Sequence, residues 1–514
     1  MLRFARNDGL TLLLVLIAAL IGAASAFAFA PVGLWPLMPL ALAGLCELVW
    51  RSKSLRRSLA VGWAFGFGQF AVGLNWIATA FTFQAAMPAW LGWIAVVLLS
   101  LYLAVYPALA AGLAWRYGKN RPLALLLALG GAWPLTEYLR GTMFTGFPWN
   151  PLGVTLVDTP WLPMAPYLGT YSLSLFVVLV GGALWLVSRS KWKSGGGILA
   201  AAALLALIPT PSLLYKQRIL RDVRVVQPNI GQEDKWREGF SEEAARRLAV
   251  LSMKPGAQRP RLLLWPEAAV TDPLEDARTD EHQALAEFER TRAAALVGPS
   301  DYLLTGGLAV FAKDGRWVDG AANSVFILGQ GGRVVGRYDK AHLVPYGEYL
   351  PMRPLLSSIG LSRLAPGDID FTSGPGPRTF TLPSWGKVGL QLCYEIIFSG
   401  EVVDWRNRPD FIFNPSNDAW FGRWGPPQHL AQARLRAAEE GIPVIRSTPT
   451  GISAVIDGTG RVRQALPWHS AGILDDTIPP AFPPTLFARL GNLIPVLLGF
   501  ALLLSAIVLG RTRR

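Results

Sequence analysis

The stretch GLQLCYE at residues 389–395 places a cysteine, a tyrosine and a glutamate directly after a short apolar run. Two other stretches have the same form, since LLLWPE at 262–267 ends in Glu267 and GRYDK at 336–340 ends in Lys340. Apolar runs of this length are typical of β-strands. Open α/β sheets usually carry their sites at the carboxyl ends of strands. The three stretches therefore predict strands that present Glu267, Lys340 and Cys393 at their ends.

A thiol, an ammonium and a carboxylate in such positions supply a nucleophile, an oxyanion stabiliser and a base. A thiol with a pKa of ~8.5 needs a nearby base or positive charge to react at neutral pH. A lysine beside a nascent oxyanion offsets its charge. Taken singly, each residue has a more common structural explanation. A lone cysteine is more often a small buried residue, a glutamate after a strand is more often a cap, and a lysine is more often solvated. The prediction of a catalytic site therefore depends on the combination.

The surrounding region, residues 216–482, has the dispersed charges and turn signals of a soluble domain. Further apolar runs of strand length lie at 223–226, 324–328, 388–392, 411–413 and 444–445. Helical stretches that carry charges lie at 241–252, 281–295 and 429–440. Alternating strands and helices predict a layered α/β domain. The GQGG run at 329–332 predicts a hairpin turn, because it lacks the spacing of a phosphate-binding loop.

The composition of the whole chain of 514 residues excludes an ordinary soluble protein. Hydrophobic residues make up 52% and charged residues only 16%, against roughly 25% charged in soluble domains. Mean hydropathy is +0.33. A disordered or collagen-like chain is excluded on the same grounds, and two cysteines are too few for a domain built on disulfides. The net charge of +13 fits either a nucleic-acid partner or a membrane protein with basic loops.

The distribution of the charges favours the membrane. Eight apolar segments are long enough to span a bilayer, at 10–29, 34–50, 60–81, 90–115, 122–139, 167–187, 198–214 and 486–509. Basic clusters occur in every second connection, at 3–6, 51–57, 116–121, 189–193 and 511–514. This positive-inside pattern predicts eight crossings with both termini in the cytoplasm. It predicts a seven-helix membrane domain at 1–215, an extracytoplasmic domain at 216–482, and a last span with a basic tail at 483–514. It also accounts for the charge without nucleic acid.

The Glu267, Lys340 and Cys393 stretches together resemble the signature of the nitrilase superfamily. With the membrane segments, the whole chain resembles the bacterial apolipoprotein N-acyltransferases. Three more stretches support this resemblance, GFPW at 146–149, HLVPYGE at 342–348 and SNDAWFG at 416–422. The resemblance implies an α-helical integral membrane domain of about eight transmembrane helices, joined to an α/β nitrilase-like αββα sandwich. It also implies a location in the bacterial inner membrane, with the α/β domain on the periplasmic side.

The resemblance implies a two-step acyl transfer that completes lipoprotein maturation. Glu267 takes the proton from Cys393, and the thiolate attacks an ester of a phospholipid, expected to be the sn-1 chain of phosphatidylethanolamine. Lys340 stabilises the oxyanion. The α-amine of a diacylglyceryl-cysteine apolipoprotein then resolves the thioester. The expected partners are thus the phospholipid donor, the apolipoprotein acceptor and membrane lipids, with no metal or cofactor.

Other residues are given supporting roles by the same resemblance. Glu348 is expected to orient Lys340 or to help proton transfer, and Tyr394 and Glu395 to fix the geometry beside the nucleophile. Trp236 is expected to touch an acyl chain, although an aromatic that anchors a loop is about as common. Trp149 is expected at the depth of the lipid headgroups and is a candidate substrate contact. At this depth a tryptophan more commonly belongs to the belt of aromatic residues at the membrane interface.

Two other functions remain open at this stage. A membrane-tethered amidase or nitrilase has the same site and uses water to resolve the thioester, but a small soluble amide does not require eight spans. A transporter or scaffold with an inactive soluble domain is disfavoured by the intact catalytic set. Glu137 and Arg140, three residues apart near a membrane face, are expected to form a structural pair. Neither His342 nor His429 is expected to act as the general base.

Overall fold

The computed structural model describes residues 2–83, 88–209, 221–235, 237, 239–256, 261–358, 360, 362–364 and 369–511. Before residue 210 the chain is α-helical. The helices are α1 (Leu2–Ser25), α2 (Leu37–Arg51), α3 (Leu55–Gly73), α4 (Ile77–Ala80), α5 (Leu91–Leu103), α6 (Val105–Gly118), α7 (Pro122–Thr142), α8 (Ala165–Ser188) and α9 (Trp192–Leu205).

Within the described residues, five helical segments are long and apolar enough to cross a membrane. They are Thr11–Ala28, Leu91–Gly118, Pro122–Thr142, Leu162–Ser188 and Leu493–Arg511. Each coincides with a predicted span. The predicted spans at 34–50, 60–81 and 198–214 contain the shorter or less apolar helices α2, α3 and α9, and the last of them runs into residues outside the described part. The protein is therefore a membrane protein, and the count of eight crossings stays a prediction.

Two of the long helical segments are interrupted. The break between α5 and α6 falls at Ala104, three residues before Pro107, whose ring cannot accept a continuous helix through the preceding turn. In α8, Gly169 has a φ of 74° and a ψ of 171°, a conformation that is essentially restricted to glycine. A Cβ at this position would lie 2.2 Å from the ring of Phe487, so both backbone and space require glycine here.

The region after residue 220 contains thirteen described strands and several short helices. In chain order they are β1 (Asp222–Gln227), α10 (Gln232–Lys235), α11 (Phe240–Met253), β2 (Leu262–Leu264), β3 (Pro273–Asp276), α12 (Asp280–Ala293), β4 (Tyr302–Phe311), β5 (Gly320–Leu328), β6 (Val334–Asp339), α13 (Arg353–Ser358), β7 (Arg378–Leu382), β8 (Gly386–Leu390), β9 (Phe411–Pro415), α14 (Gly425–Glu440), β10 (Val444–Ser447), β11 (Ala454–Ile456), β12 (Val462–Ala465) and β13 (Gly472–Thr477). Two helices follow, α15 (Leu486–Leu490) and α16 (Leu493–Arg511).

The strands form two sheets. The first has the order β13-β1-β2-β4-β5-β6, with β3 paired to β4, and the second has the order β12-β11-β10-β9-β8-β7. Parallel pairing joins β1 to β2 and β2 to β4 in the first sheet, and β8 to β9 and β9 to β10 in the second. The antiparallel β5–β6 pair confirms the hairpin predicted at 329–332.

The two sheets pack face to face. Val225, Leu264 and Val325 from the first sheet share one buried cluster with Leu390 and Phe413 from the second. Because side chains alternate between the faces of a strand, Val226, Leu263 and Phe326 point the other way and pack in a second cluster with Leu248 and Leu251 of α11. On the outer face of the second sheet, α14 supplies Ala433 and Ala437. The predicted αββα sandwich is therefore confirmed.

The α/β domain packs on the membrane helices through α14 and the turn after β8. The Trp149 indole N–H donates to Gln428 Oε1 over 2.8 Å, and Gln428 Nε2 donates to the Gly73 carbonyl over 3.2 Å. The backbone N–H of Thr170, freed by the break at Gly169, donates to Glu439 Oε1 over 2.5 Å. The domain junction predicted at 215–216 lies outside the described residues, and the predicted domain boundaries stay predictions.

Candidate active site

The residues predicted at strand ends lie where three strands finish at the same side of the sandwich. Glu267 follows β2 and Lys340 directly follows β6, while two residues separate the end of β8 from Cys393. In the first sheet, β6 runs in the same direction as β2, because both are linked through β4 and β5. The charges of Glu267 and Lys340 both act on the Cys393 thiol. The structure therefore brings the three side chains together.

Lys340 is held in a buried ion pair. Its ammonium lies 2.8 Å from Glu348 Oε2, and its backbone N–H donates to the Asn323 carbonyl over 2.9 Å. Glu348 Oε2 also accepts the Val344 N–H over 2.8 Å. Burial alone would lower the pKa of the Lys340 ammonium, but the charges of Glu348 and Glu267 raise it above its usual value. Lys340 is therefore a fixed positive charge at neutral pH.

Glu267 is bound on one oxygen only. Asn323 Nδ2 donates to Glu267 Oε1 over 2.8 Å and to Glu348 Oε1 over 3.0 Å, so one amide aligns both carboxylates. Glu267 Oε2 is buried and has no hydrogen-bond partner among the described residues. Gly306 on β4 permits this position, because a Cβ there would lie 2.6 Å from the Glu267 Cα. The unbonded oxygen of Glu267 is thus available to accept a proton.

Lys235, at the end of α10, is a second buried lysine near Glu267. Its side chain is buried, and burial lowers the pKa of its ammonium to about 8, while the charge of Glu267 opposes that shift. A lysine of this kind changes its charge close to the pH at which most enzymes work.

Cys393 is buried and its backbone is left-handed, with a φ of 53°. Burial raises the pKa of its thiol well above the usual range, the charge of Glu267 adds to this, and the charge of Lys340 opposes it. The Asn417 backbone N–H also bonds the thiol and lowers its pKa. The resting residue is therefore a thiol, and a base must take its proton during the reaction. Both cysteines of the chain are free.

Glu395 ties the Cys393 turn to the end of β6. It accepts the Tyr338 hydroxyl over 2.8 Å and the backbone N–H groups of Ala341, His342 and Leu392 over 2.7, 3.0 and 2.6 Å. Burial raises the pKa of Glu395, and these donors oppose that shift. With so many donors, Glu395 locks the Lys340 and Cys393 segments together. Tyr394 instead faces the membrane domain, where its hydroxyl donates to the Gly146 carbonyl over 3.2 Å.

Comparison with known proteins identifies the family. Residues 21–183 match the model of the apolipoprotein N-acyltransferase N-terminal domain, and residues 222–482 match that of carbon-nitrogen hydrolase. The apolipoprotein N-acyltransferase of Rhodopseudomonas palustris is 34% identical over 96% of this chain and 94% of its own length. The chain belongs to the apolipoprotein N-acyltransferase family. The Sinorhizobium medicae apolipoprotein N-acyltransferase is 36% identical over 84% of this chain and 82% of its own. A carbon-nitrogen hydrolase from Helicobacter pylori G27 covers 50% of this chain and 89% of its own, at 17% identity and a TM-score of 0.36.

Sequence reasoning missed several residues of this apolipoprotein N-acyltransferase family member. Asn323 was not singled out, although an amide directly before the predicted apolar run at 324–328 is a visible signal. Lys235 was not singled out either. His429 and Arg446 form a buried network behind Cys393 that no spacing in the sequence indicates, because their elements are brought together only by the fold.

Of the two tryptophans predicted to contact substrate, Trp149 lies in the described part of the structure. Trp149 is fully buried between the two domains, with its ring 4.6 Å from that of Trp76 and 5.4 Å from that of His429. Trp236 lies outside the described residues. A substrate contact for either residue stays a prediction.

The described residues of this family member hold no group of three or more His, Cys, Asp or Glu side chains that could bind a metal ion. Independence from cofactors stays a prediction. The predicted structural pair of Glu137 and Arg140 is confirmed, with 3.8 Å between Arg140 Nη2 and Glu137 Oε1. Arg140 Nη1 also donates to the carbonyls of Phe147 and Trp149 over 2.8 Å each, so the pair holds the loop that leads to Trp149.

Proposed function

We propose that this enzyme transfers a fatty acyl chain from a phospholipid, the sn-1 chain of phosphatidylethanolamine, to the N-terminal α-amine of a diacylglyceryl-cysteine apolipoprotein. The observation that carries the proposal is the buried cluster of Glu267, Lys340 and Cys393 in a domain that packs directly on membrane helices. Membership of the apolipoprotein N-acyltransferase family supports the same reaction.

In the first half-reaction, the free Oε2 of Glu267 takes the proton from the Cys393 thiol. The thiolate attacks the ester carbonyl, and the oxyanion forms beside the Lys340 ammonium, which Glu348 keeps charged. Collapse of the tetrahedral species breaks the C–O bond, and the lysophospholipid alcohol leaves with the proton from Glu267. The product is a thioester on Cys393. Covalent catalysis of this kind divides one difficult step into two easier steps.

In the second half-reaction, the neutral α-amine of the apolipoprotein attacks the thioester carbonyl. Lys340 again stabilises the oxyanion, since it occupies a fixed position and needs no reorganisation. Glu267 accepts the proton of the amine and passes it to the departing thiolate. The amide product leaves, and the Cys393 thiol is restored.

The proposal includes a location and an orientation. The alternation of basic loops supports an inner-membrane protein with both termini in the cytoplasm and the α/β domain in the periplasm. In that arrangement Cys393 has access to phospholipids of the outer leaflet. A division of the chain at 1–215, 216–482 and 483–514 belongs to the same proposal.

Mass spectrometry of the intact, detergent-purified protein tests the reaction. After incubation with phosphatidylethanolamine, we expect one fatty-acyl mass on Cys393 that neutral hydroxylamine removes, and one equivalent of lysophospholipid. Cys46→Ser, which changes the only other cysteine, should retain the adduct, and Cys393→Ser should lose the hydroxylamine-sensitive adduct. An unmodified Cys393 with no lysophospholipid would contradict the proposal and direct attention to the hydrolysis of amides.

A further inference from the structure

The backbone carbonyl of Cys393 accepts hydrogen bonds from two side chains. His429 Nε2 lies 3.1 Å from the Cys393 oxygen, and Asn414 Nδ2 donates to the same oxygen over 3.3 Å. His429 is on α14 and Asn414 is on β9, so the turn that carries the thiol is clamped by two elements of the domain core. All three residues are buried.

The geometry fixes which nitrogen of His429 carries a hydrogen. A carbonyl oxygen can only accept, so Nε2 must be protonated in any charge state of the ring. Burial lowers the pKa of His429, and the charge of Arg446 lowers it further. The charge of Asp418 opposes this shift, and His429 Nδ1 lies 2.9 Å from both Asp418 Oδ1 and Arg446 Nη2. His429 consequently acts as a fixed donor to the Cys393 carbonyl.

Arg446 orients both donors. Its Nη1 donates to Asn414 Oδ1 over 2.6 Å, which leaves the Asn414 amide nitrogen facing Cys393. Its Nη2 donates to both oxygens of Asp418, over 2.7 and 2.6 Å, and contacts His429. Arg446 and Asp418 are fully buried. Asp418 follows Asn417, whose backbone N–H bonds the Cys393 thiol. One buried arginine thus organises contacts to both the carbonyl and the thiol of Cys393.

We infer that His429, oriented by Arg446 and Asp418, is a positioning residue that holds the Cys393 peptide in its left-handed conformation and so aims the thiol. A left-handed cysteine persists only where its surroundings impose that conformation. The peptide bond is planar, so a fixed carbonyl also fixes the direction of the following N–H. The inference rests on the proposed function only in taking Cys393 as the nucleophile.

The membrane domain closes this network from the other side. The Trp149 ring packs against the His429 ring at 5.4 Å, and the Trp149 indole bonds Gln428, the residue before His429. Phe421 lies against both rings, at 5.6 Å from Trp149 and 5.8 Å from His429. Trp149 therefore serves as a cover that keeps His429 in place, and the support of the nucleophile extends across the domain interface.

Two amide replacements of His429 test the inference. The amide nitrogen of glutamine reaches the position of the imidazole Nε2, whereas that of asparagine is too short to reach the Cys393 carbonyl. The variants H429Q and H429N are compared with wild-type in the full-length, detergent-purified protein, with H282Q as a control for a histidine outside the site. The readouts are the rate of Cys393 alkylation by iodoacetamide, the thioester rate at saturating and subsaturating phosphatidylethanolamine, and the thermal midpoint.

We expect H429Q to retain both rates within about tenfold. In H429N both rates should fall at least about a hundredfold, the equivalent of ~2.7 kcal/mol, with the half-saturating lipid concentration unchanged. Equal rates in the two variants at matched thermal midpoints would overturn the inference. If H429N does not fold, H429Q alone tests the inference. A folded H429Q variant in which iodoacetamide no longer alkylates Cys393 would also overturn it. Alkylation uses no lipid, so a wild-type protein that is alkylated but forms no thioester contradicts the proposed function alone.

Discussion

The proposed base interacts with residues from several elements. Glu267 interacts with Lys235 from α10, with Lys340 after β6 and with the Cys393 thiol, and it shares the Asn323 amide with Glu348. The Lys340 ammonium forms an ion pair with the Glu348 carboxylate over 2.8 Å. Lys235 is therefore the more adjustable of the two lysines, because the pKa of its ammonium is lowered to about 8 by burial.

Replacement of Lys235 by methionine should change the pH dependence of thioester formation. Below pH 8 the Lys235 ammonium is charged and interacts with the Glu267 carboxylate, so its loss should slow thioester formation in this pH range. We expect the methionine variant to be roughly tenfold slower at pH 6.5, a difference of ~1.4 kcal/mol. Above the pKa of about 8 wild-type Lys235 is itself neutral, and the two rates should converge.

The exposed Lys313 gives the matched control, and Lys313→Met should follow the wild-type profile at every pH. A constant ratio between Lys235→Met and wild-type from pH 6 to pH 9 would show that the side chain contributes packing and not charge.

At the residue scale, the sequence could predict the residues that carry a recognisable chemical group at a strand end. Glu267, Lys340 and Cys393 are placed there by the structure as expected. The sequence could not predict Asn323 or His429 as partners of this site, because a hydrogen bond between distant segments depends on sheet register and helix docking. Register pairs Ser324 with Asp339, and only this pairing sets Asn323 beside Lys340.

At the scale of elements, α14 connects the second sheet to the membrane helices and ends in two consecutive carboxylates. Glu439 accepts from Thr170 and from Ser399 Oγ over 2.9 Å. Glu440 is buried as well, and burial together with the charge of Glu439 raises its pKa to about 7. A negative charge at a helix C-terminus is also unfavourable with respect to the helix dipole.

Glu440→Gln should stabilise the protein at alkaline pH. In the unfolded chain a glutamate has a pKa of ~4.3, so between this value and about 7 the native state binds more protons. Stability therefore falls as the pH rises through this window, by at most about 3.7 kcal/mol. The glutamine variant should unfold at a higher temperature than wild-type, by a larger margin at pH 8 than at pH 5.

Glu287, which is exposed on α12, provides the control, and Glu287→Gln should leave the thermal midpoint unchanged at both pH values. A gain for Glu440→Gln of equal size at pH 5 and pH 8 would exclude ionisation of Glu440 as its cause.

Some helices and strands were predicted correctly from the sequence and others were not. Apolar runs identified strands such as Leu262–Leu264, and the confirmed hairpin followed from its glycines. The start of α14 at Gly425 was missed by four residues, although Pro426 in the first turn is a known start signal. The break at Gly169 was also missed. A span is predicted from the hydropathy of about 20 residues together, and one residue with an unusual backbone conformation does not change that value.

On the scale of the whole molecule, the reaction depends on where the α/β domain lies relative to the membrane. The proposed donor ester lies in a lipid layer and Cys393 lies in the α/β domain, so the docking of the two domains decides whether they meet. The contacts of Thr170 with Glu439 and of Trp149 with Gln428 fix that docking. Gly169 creates the first contact, because its backbone frees the Thr170 N–H and its missing side chain admits the Phe487 ring.

Gly169→Ala should therefore impair lipid turnover more than the chemistry at Cys393. An alanine Cβ would meet Phe487 at 2.2 Å and adopt an unfavourable positive φ, so α15 and α14 should shift away from α8. Gly33→Ala is the matched control, because Gly33 has a φ of 70° in the same domain but open space around its Cβ position. Gly33→Ala should lower the free energy of unfolding only through backbone strain, by about 1 kcal/mol.

The measurement compares two acyl donors, phosphatidylethanolamine in mixed micelles and a water-soluble p-nitrophenyl ester, both followed as acylation of Cys393. Gly169→Ala should lose at least about tenfold more rate with the lipid than with the soluble ester, a difference of ~1.4 kcal/mol. Gly33→Ala should lose equally little with both. Since the soluble ester can reach the thiol without correct docking, an equal loss of both activities in Gly169→Ala would mean that the break in α8 supports the fold of the site itself and not its placement at the membrane.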